Sequence, residues 1–153
     1  MSEYKAGFVA VVGRPNVGKS TLVNALVGKK IVITSKHPNT TRNPISGIIT
    51  RSEYQIIVVD TPGIHKPKTI LGTRLNEMVT ENVEDVDAAV VCLPANEQLG
   101  AGDEFVLNQV SKSPIIVALT KCDSVDKSAI ASKLAEINEM FSKLGVKYEE
   151  LIP

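Results

Sequence analysis

Eight residues near the start of the chain, positions 13–20 (GRPNVGKS), constrain the fold more than any other feature of the sequence. They fit the pattern GxxxxGK[S/T] at each of its fixed positions, Gly13, Gly18, Lys19 and Ser20. An apolar run precedes them at 8–12, and apolar residues at helical spacing follow at 22–27. A loop in this setting presents backbone N–H groups and a helix N-terminus to phosphate groups. We therefore predict a phosphate-binding loop, the alternative being a glycine turn with a purely structural role.

Short apolar runs alternate with segments of helical spacing along the rest of the chain. The predicted strands cover residues 8–12, 45–50, 55–59, 88–93 and 115–119, with the start of an edge strand at 151–152. Helices are predicted after the loop and over about 71–83, 102–110 and 130–144, the last ending at Gly145. Only residues 51–54 separate the second and third strands, which should therefore form an antiparallel hairpin. This order predicts a three-layer α/β fold with a mostly parallel sheet and one antiparallel hairpin strand.

Charge is distributed unevenly, although the formal net charge is zero. Residues 1–75 carry 11 basic and 3 acidic side chains (+8), whereas residues 76–153 carry 6 and 14 (−8). This favours a polyanion site in the first half, although scattered solvated charges would give the same count. Aromatic residues make up only 4% of the chain, which argues against a surface that stacks single-stranded bases. Cys92 and Cys122 belong to no CxxC pattern, which favours free thiols over a disulfide or a metal site.

Two further motifs follow predicted strands and suit a nucleotide with Mg²⁺. Asp60 begins DTPG after the strand at 55–59; its carboxylate can hold Mg²⁺ through water, and the Gly63 N–H can contact a γ-phosphate. The same four residues also make a good turn. In TKCD, at 120–123, the Asp123 carboxylate can accept from the N1–H and the 2-amino group of guanine, a pair that adenine lacks. The Lys121 stem can pack along the base, so the three motifs together favour a guanine nucleotide over ordinary turns.

In this order, GRPNVGKS, TTR, DTPG and TKCD look like the motifs of a translation-factor-class GTPase. The chain resembles the Era family in particular, over essentially its whole length. The stretches that carry this resemblance are IVITS (31–35), Thr40-Thr41-Arg42, Gly47-Ile48 and, above all, DTPGIHKPK (60–68). Asn43 after Arg42 fits the sister Der and MnmE families less well.

The resemblance implies a P-loop GTPase fold and a G domain over residues 1–153 that binds GTP and GDP and hydrolyses GTP slowly as a switch. The implied switch loops are residues 36–44 and 61–69. Mg²⁺ would be held by Ser20, by Thr41 rather than Thr40, and by Asp60 through water; Lys19, Thr41 and Gly63 would be catalytic. The implied nucleotide-binding residues are Gly13, Arg14, Pro15, Asn16, Val17, Gly18, Lys19, Ser20, Thr21, Asp60, Thr61, Pro62, Gly63, Ile64, Thr120, Lys121, Cys122 and Asp123.

The resemblance also implies a role in assembly of the small ribosomal subunit, with ribosomal RNA bound through a C-terminal KH domain. That domain, the last strand and helix, and a Ser-Ala motif that reads guanine are expected beyond Pro153, so the G domain would be incomplete. No apolar run approaches the roughly 18 residues of a membrane span, and no signal peptide is evident. We predict a cytoplasmic protein and leave open peripheral association of the longer protein with the inner membrane.

Three residues depart from the usual pattern or extend it. Thr120 replaces an Asn whose amide ties the base loop to the phosphate loop; a threonine has less reach, which predicts weaker affinity. Ile64 occupies the position of a water-orienting Gln in many GTPases, which predicts slow hydrolysis, with His65 either a substitute or an ordinary loop residue. Asn16 could ligate a K⁺ that stabilises transition-state charge, as in related GTPases with this loop, or merely brace the loop.

Two other functions remain as alternatives. A P-loop kinase for a small molecule would need an Arg-rich lid, yet no Arg occurs after residue 75. The other is a non-enzymatic nucleotide-binding module, which a hydrolysis assay would distinguish from a GTPase.

Overall fold

Six strands form one sheet in the computed structural model, which describes residues 3–28, 45–60 and 86–153. They are β1 (Lys5–Val12), β2 (Ile45–Thr50), β3 (Tyr54–Asp60), β4 (Ala88–Pro94), β5 (Ile115–Thr120) and β6 (Glu150–Ile152). The order across the sheet is β2-β3-β1-β4-β5-β6. The pair β2 and β3 is antiparallel, and the other described neighbours are parallel. The predicted hairpin and mostly parallel sheet are confirmed.

The strands β1, β4 and β5 at the centre of the sheet are largely apolar because both faces of the sheet are covered there. Val12 pairs with Val91, and Val91 pairs with Val117, and all three side chains are fully buried. β1 is longer than predicted, because Lys5, which is exposed, still pairs with Tyr54 of β3. Parallel strands bring their carboxyl ends to one edge of the sheet, where ligands of such folds bind.

The described helices are α1 (Lys19–Val27), α2 (Ala101–Val110) and α3 (Lys127–Leu144), with a 3₁₀ turn at Cys122–Ser124. The Asp126 carboxylate accepts a hydrogen bond from the Ala129 N–H (2.8 Å) and begins α3. Gly145, in the left-handed conformation at φ 68°, ends α3 as predicted. The helix predicted over 71–83 and the loops at 36–44 and 61–69 lie outside the described residues.

Two apolar clusters lie on opposite faces of the sheet and confirm the three layers. The cluster of Ala10 and Val12 packs against α2 and α3, whereas that of Val11 and Cys92 packs against α1. Neighbouring residues of one strand thus face different layers, as alternation along a strand requires. Within the described ranges, no helix is both long and apolar enough to cross a membrane. Cys92 and Cys122 are free thiols, as predicted.

Candidate nucleotide-binding site

The loop between β1 and α1 has a backbone conformation that suits an anion. Asn16 (φ 64°) and Gly18 (φ 104°) both adopt the left-handed region, which glycine enters freely and asparagine tolerates better than most residues. The Leu22 N–H donates to the Gly18 carbonyl (3.0 Å) in the first turn of α1. Earlier N–H groups of a helix have no partner within it, so the N-terminus of α1 is suited to phosphate oxygens.

Gly13 allows the loop to close tightly on the sheet. A Cβ atom at this position would lie 2.8 Å from Cγ2 of Val17 and 2.9 Å from the backbone oxygen of Cys92. The Lys19 ammonium donates a hydrogen bond to the Gly13 carbonyl (2.9 Å) and is therefore held over the loop. The predicted phosphate-binding lysine thus lies beside the glycine that starts the motif.

Thr120, the last residue of β5, connects the TKCD motif to the phosphate loop. Its hydroxyl lies 2.5 Å from the Val17 carbonyl, to which it donates, and 3.3 Å from the Leu93 carbonyl. Thr120 therefore reaches the phosphate loop despite its shorter side chain, whereas the weaker affinity predicted from this replacement stays a prediction. Gly18 explains this reach: a Cβ atom there would already lie 3.5 Å from the Thr120 Cβ, so the loop comes close enough for a short side chain.

The rest of TKCD forms a tight turn at the same edge. Lys121 adopts φ 58°, and Cys122–Ser124 form the 3₁₀ turn, on which the Asp123 side chain is exposed. The Cys122 thiol donates to the Leu119 carbonyl (3.3 Å). Burial, and after it the Asp123 carboxylate, raise the pKa of the Cys122 thiol. The Asp123 carboxylate is thus accessible to a ligand next to the phosphate loop.

Two acidic residues that sequence reasoning missed contact the loops. Asp103 on α2 accepts from Nε of Arg14 (2.8 Å), which holds the guanidinium group against α2. Glu97 lies 3.4 Å from Arg14 and 3.4 Å from Lys121. The sequence marks Asp103 only as an acidic residue in the first turn of a predicted helix. No spacing pattern links it to Arg14, which lies 89 positions away.

Some of the remaining predicted site residues lie among the described residues, and others do not. Ser20 is the second residue of α1 and is exposed, and Thr21 follows it. Asp60 ends β3 opposite Val11 of β1, and its side chain lies outside the described part of the structure. Thr41, Thr61, Pro62, Gly63 and Ile64 lie outside the described residues. Their predicted roles stay predictions.

The loop at residues 13–20, the sheet edge and the TKCD turn beside it together define a P-loop nucleotide-binding α/β domain. The model of the 50S ribosome-binding GTPase family matches residues 8–121, and the chain belongs to this family. It is similar to the GTPase Era of Streptomyces coelicolor, with 48% identity over 98% of this chain and 48% of that protein. The chain spans about half the length of the curated relatives it matches.

Solved structures give the same result. An Era crystal structure in complex with MgGDPNP and a segment of 16S ribosomal RNA has a TM-score of 0.78 and 36% identity, over 99% of this chain and 51% of that one. A variant of Aquifex aeolicus Era bound to GDP·AlF₄⁻ has a TM-score of 0.75 and 34% identity, over 97% of this chain and 50% of that one. The resemblance to the Era family indicated by the motifs is confirmed.

Proposed function

We propose that this chain is the GTP-binding domain of an Era-type switch protein and hydrolyses GTP slowly. The bond from the Thr120 hydroxyl to the Val17 carbonyl supports this most directly, because it places the guanine-recognition motif against the phosphate loop. One nucleotide can then contact both motifs. Lys19 would contact the β- and γ-phosphates, and Asp123 would accept from guanine.

The residues at the sheet edge fit Mg²⁺. Ser20 lies at the N-terminus of α1, just after β1, and Asp60 ends the neighbouring strand β3, so both oxygen donors arise at one edge. Mg²⁺ prefers oxygen ligands and binds through few protein side chains together with phosphates and water. In the part of the chain that is described, no cluster of three His, Cys, Asp or Glu side chains could hold a metal ion by itself. We propose that Ser20, Thr41 and Asp60, the last through water, hold Mg²⁺ when a nucleotide is bound.

Hydrolysis would depend on positioning and on electrostatic stabilisation by the loop. Ile64 has no hydrogen-bonding group with which to orient water, so slow turnover is expected. The backbone N–H groups of the phosphate loop and the Lys19 ammonium would stabilise the negative charge that develops on the phosphate oxygens.

A competition and turnover experiment tests the proposed function. GTP and GDP should displace a fluorescent GDP analogue, whereas ATP should not. Single-turnover incubation with Mg²⁺ and GTP should release inorganic phosphate without an added acceptor, which a small-molecule kinase would require. Equal competition by ATP and GTP would contradict guanine recognition, and tight GTP binding without phosphate release would favour the non-enzymatic module.

We further propose that K⁺ accelerates hydrolysis through the Asn16 side-chain oxygen. Because Asn16 also adopts φ 64°, replacing it with Ala would alter the backbone as well as remove the oxygen. Asn16→Gly keeps the backbone freedom and removes only the side chain. Wild type should turn over GTP faster in KCl than in NaCl at equal ionic strength, and Asn16→Gly should lose that difference. Equal rates in both salts for an active wild type would contradict the proposal.

The longer protein would act on the ribosome. The Era relative solved with MgGDPNP and 16S ribosomal RNA supports a role with small-subunit RNA. We propose that this role requires a KH domain outside these 153 residues and takes place in the cytoplasm. Co-sedimentation of the longer protein with 30S subunits, dependent on GTP, tests it. A fraction of the protein sedimenting with inner membranes would indicate the peripheral association left open above.

A further inference from the structure

Arg14 connects the phosphate loop to helix α2 through a buried carboxylate. The Asp103 side chain is 1% exposed and accepts two hydrogen bonds, from Nε of Arg14 (2.8 Å) and from the Gly100 N–H (2.9 Å). A buried carboxylate requires such partners, because burial without them costs far more than an exposed charge does. The contact joins residues 89 positions apart in the sequence.

The surface of α2 is shaped for the Arg14 side chain. A Cβ atom at Gly102 would lie 2.9 Å from Cδ of Arg14 and 3.4 Å from its Cγ. The absence of a side chain at Gly102 therefore allows the arginine stem to lie across the first turn of the helix. Arg14 itself is only 26% exposed.

Glu97 is shared between the two nucleotide-binding loops. One carboxylate oxygen lies 3.4 Å from Nη2 of Arg14, and the other lies 3.4 Å from Nζ of Lys121 in TKCD. The backbone at Glu97 is fixed from α3, because the buried Lys133 ammonium donates to the Glu97 carbonyl (2.8 Å). Lys133 also pairs with Glu136 (2.9 Å), which accepts from the Leu99 N–H (3.2 Å). The backbone of Glu97 is therefore held in place, and its side chain extends to both loops from a fixed position.

We propose that Arg14 is a positioning residue, held by Asp103 and Glu97, and that Glu97 couples the phosphate loop to the guanine-recognition turn. Asp103 fixes the start of the phosphate loop on α2, and Glu97 sets the distance from that loop to Lys121. An arginine suits this role, because its planar fork reaches two carboxylates at once, which one ammonium group does not. The inference rests on the proposed nucleotide binding.

The rate of GDP release tests the coupling. Stopped-flow dissociation of fluorescent GDP is measured for Arg14→Lys, Glu97→Gln and the double variant, at a temperature where circular dichroism shows each to be folded. Each single variant should release GDP about fivefold faster. The double variant should release it no faster than the faster single, because both changes break the same connection. Glu104→Gln is the matched control: this residue lies on α2 beside Asp103 and pairs with an exposed Lys143 (3.2 Å), and it should stay within twofold of wild type.

A second readout separates positioning from plain stability. Glu97→Gln should reduce the preference for GDP over IDP, which lacks the 2-amino group, whereas Asp103→Asn should speed the release of both nucleotides by the same factor. Three results would overturn the proposal. The first is GDP release within twofold of the wild-type rate in Arg14→Lys or Glu97→Gln, and the second is that the two effects multiply in the double variant. The third is an unchanged preference of Glu97→Gln for GDP over IDP. If wild type bound no GDP, the proposed function would fail as well; normal binding with unaffected variants would overturn the coupling alone.

Discussion

At the residue scale, the site depends on a few positions whose backbone or burial is unusual. Asn16 and Lys121 are the described non-glycine residues with positive φ, and both lie in motifs predicted to bind the nucleotide. Cys92 lies beneath the phosphate loop with its side chain fully buried. Such positions respond to substitution and pH in ways that can be predicted from their surroundings.

Asp123→Asn should change the base that the site prefers. In the proposed function the carboxylate would accept from two guanine donors, whereas an amide would donate to the 2-oxo group of xanthine. We expect GTP affinity to fall roughly a hundredfold and affinity for xanthosine triphosphate to rise, because an unsatisfied polar contact discriminates strongly. Competition against a fluorescent nucleotide measures both, and parallel loss of the two affinities would point to a folding defect instead.

The Cys92 thiol should make stability depend on alkaline pH. Burial raises its pKa to about 11 from 9.0, against the opposing effect of the Lys19 ammonium. Below pH 9 the thiol is protonated in both states, so its full contribution to stability is present. Between the two pKa values the unfolded chain ionises and the folded chain does not, so the free energy of unfolding should fall by about 2 kcal/mol.

Urea unfolding at pH 8 and at about pH 11, in wild type and in Cys92→Ala, checks this prediction. The alanine variant serves as the control for the effect of alkaline pH on the rest of the protein. Identical pH dependence in the two proteins would show that Cys92 does not contribute.

At the scale of elements, α1 lies close to the hairpin because β2 lacks a side chain at the point of contact. A Cβ atom at Gly47 would lie 2.5 Å from Cγ2 of Val27, the last residue of α1. The strand register also shifts between Ile45 and Gly47, which marks an irregularity in β2. This contact fixes the end of the helix that starts at the phosphate loop.

Gly47→Ala should therefore destabilise the fold by about 1–3 kcal/mol, the usual cost of overpacking. Val27→Ala in the same chain should recover part of the loss, because it removes the methyl group that clashes. Gly100→Ala is the control without a packing clash, since nothing lies within 4 Å of a Cβ atom there; as the N-cap of α2 it should lose no more than about 1 kcal/mol, the typical cost of alanine at an N-cap. Urea unfolding gives all four values; equal costs for Gly47→Ala and Gly100→Ala would contradict the packing explanation.

At the scale of the whole molecule, many of the basic groups are engaged by acidic ones. Arg14, Lys121, Lys133 and Lys143 each form an ion pair with a carboxylate, and Lys19 lies over the phosphate loop. In the first half of the sequence, Arg14 and Lys19 are thus directed to the phosphate loop, whereas Lys5 and Arg51 are exposed. Part of the basic charge of that half is therefore held at the phosphate loop and is not spread over a surface for RNA.

These 153 residues alone should bind ribosomal RNA weakly. We expect the observed affinity to fall steeply between about 50 and 200 mM salt, because nonspecific binding to phosphates depends on counterion release. Filter binding with a 16S fragment and with an unrelated RNA of equal length should give similar affinities. Tight binding at about 150 mM salt that prefers the 16S fragment would show that the G domain itself recognises RNA.

Features that depend on neighbours along the chain follow from the sequence alone. The phosphate loop follows from its glycines and its place between a strand and a helix, the hairpin from its short connection, and the end of α3 from Gly145. These are local properties, because periodicity and turn chemistry act over a few residues. The same local pattern predicted β1 to begin at residue 8, which is too late. Lys5 belongs to the strand because it pairs with Tyr54 of β3, and the local sequence does not indicate that pairing.

Which distant side chains contact each other depends on the tertiary fold. The bond from Thr120 to Val17 spans 103 residues, and the pair of Arg14 with Asp103 spans 89. No sequence spacing indicates either contact. Both depend on the strand order, which places β1, β4 and β5 side by side. They also depend on Gly18 and Gly102, which allow the segments to approach closely. The pattern of apolar residues indicates which face of each segment is buried. The residues that this face contacts across the fold are fixed by sheet register and helix packing.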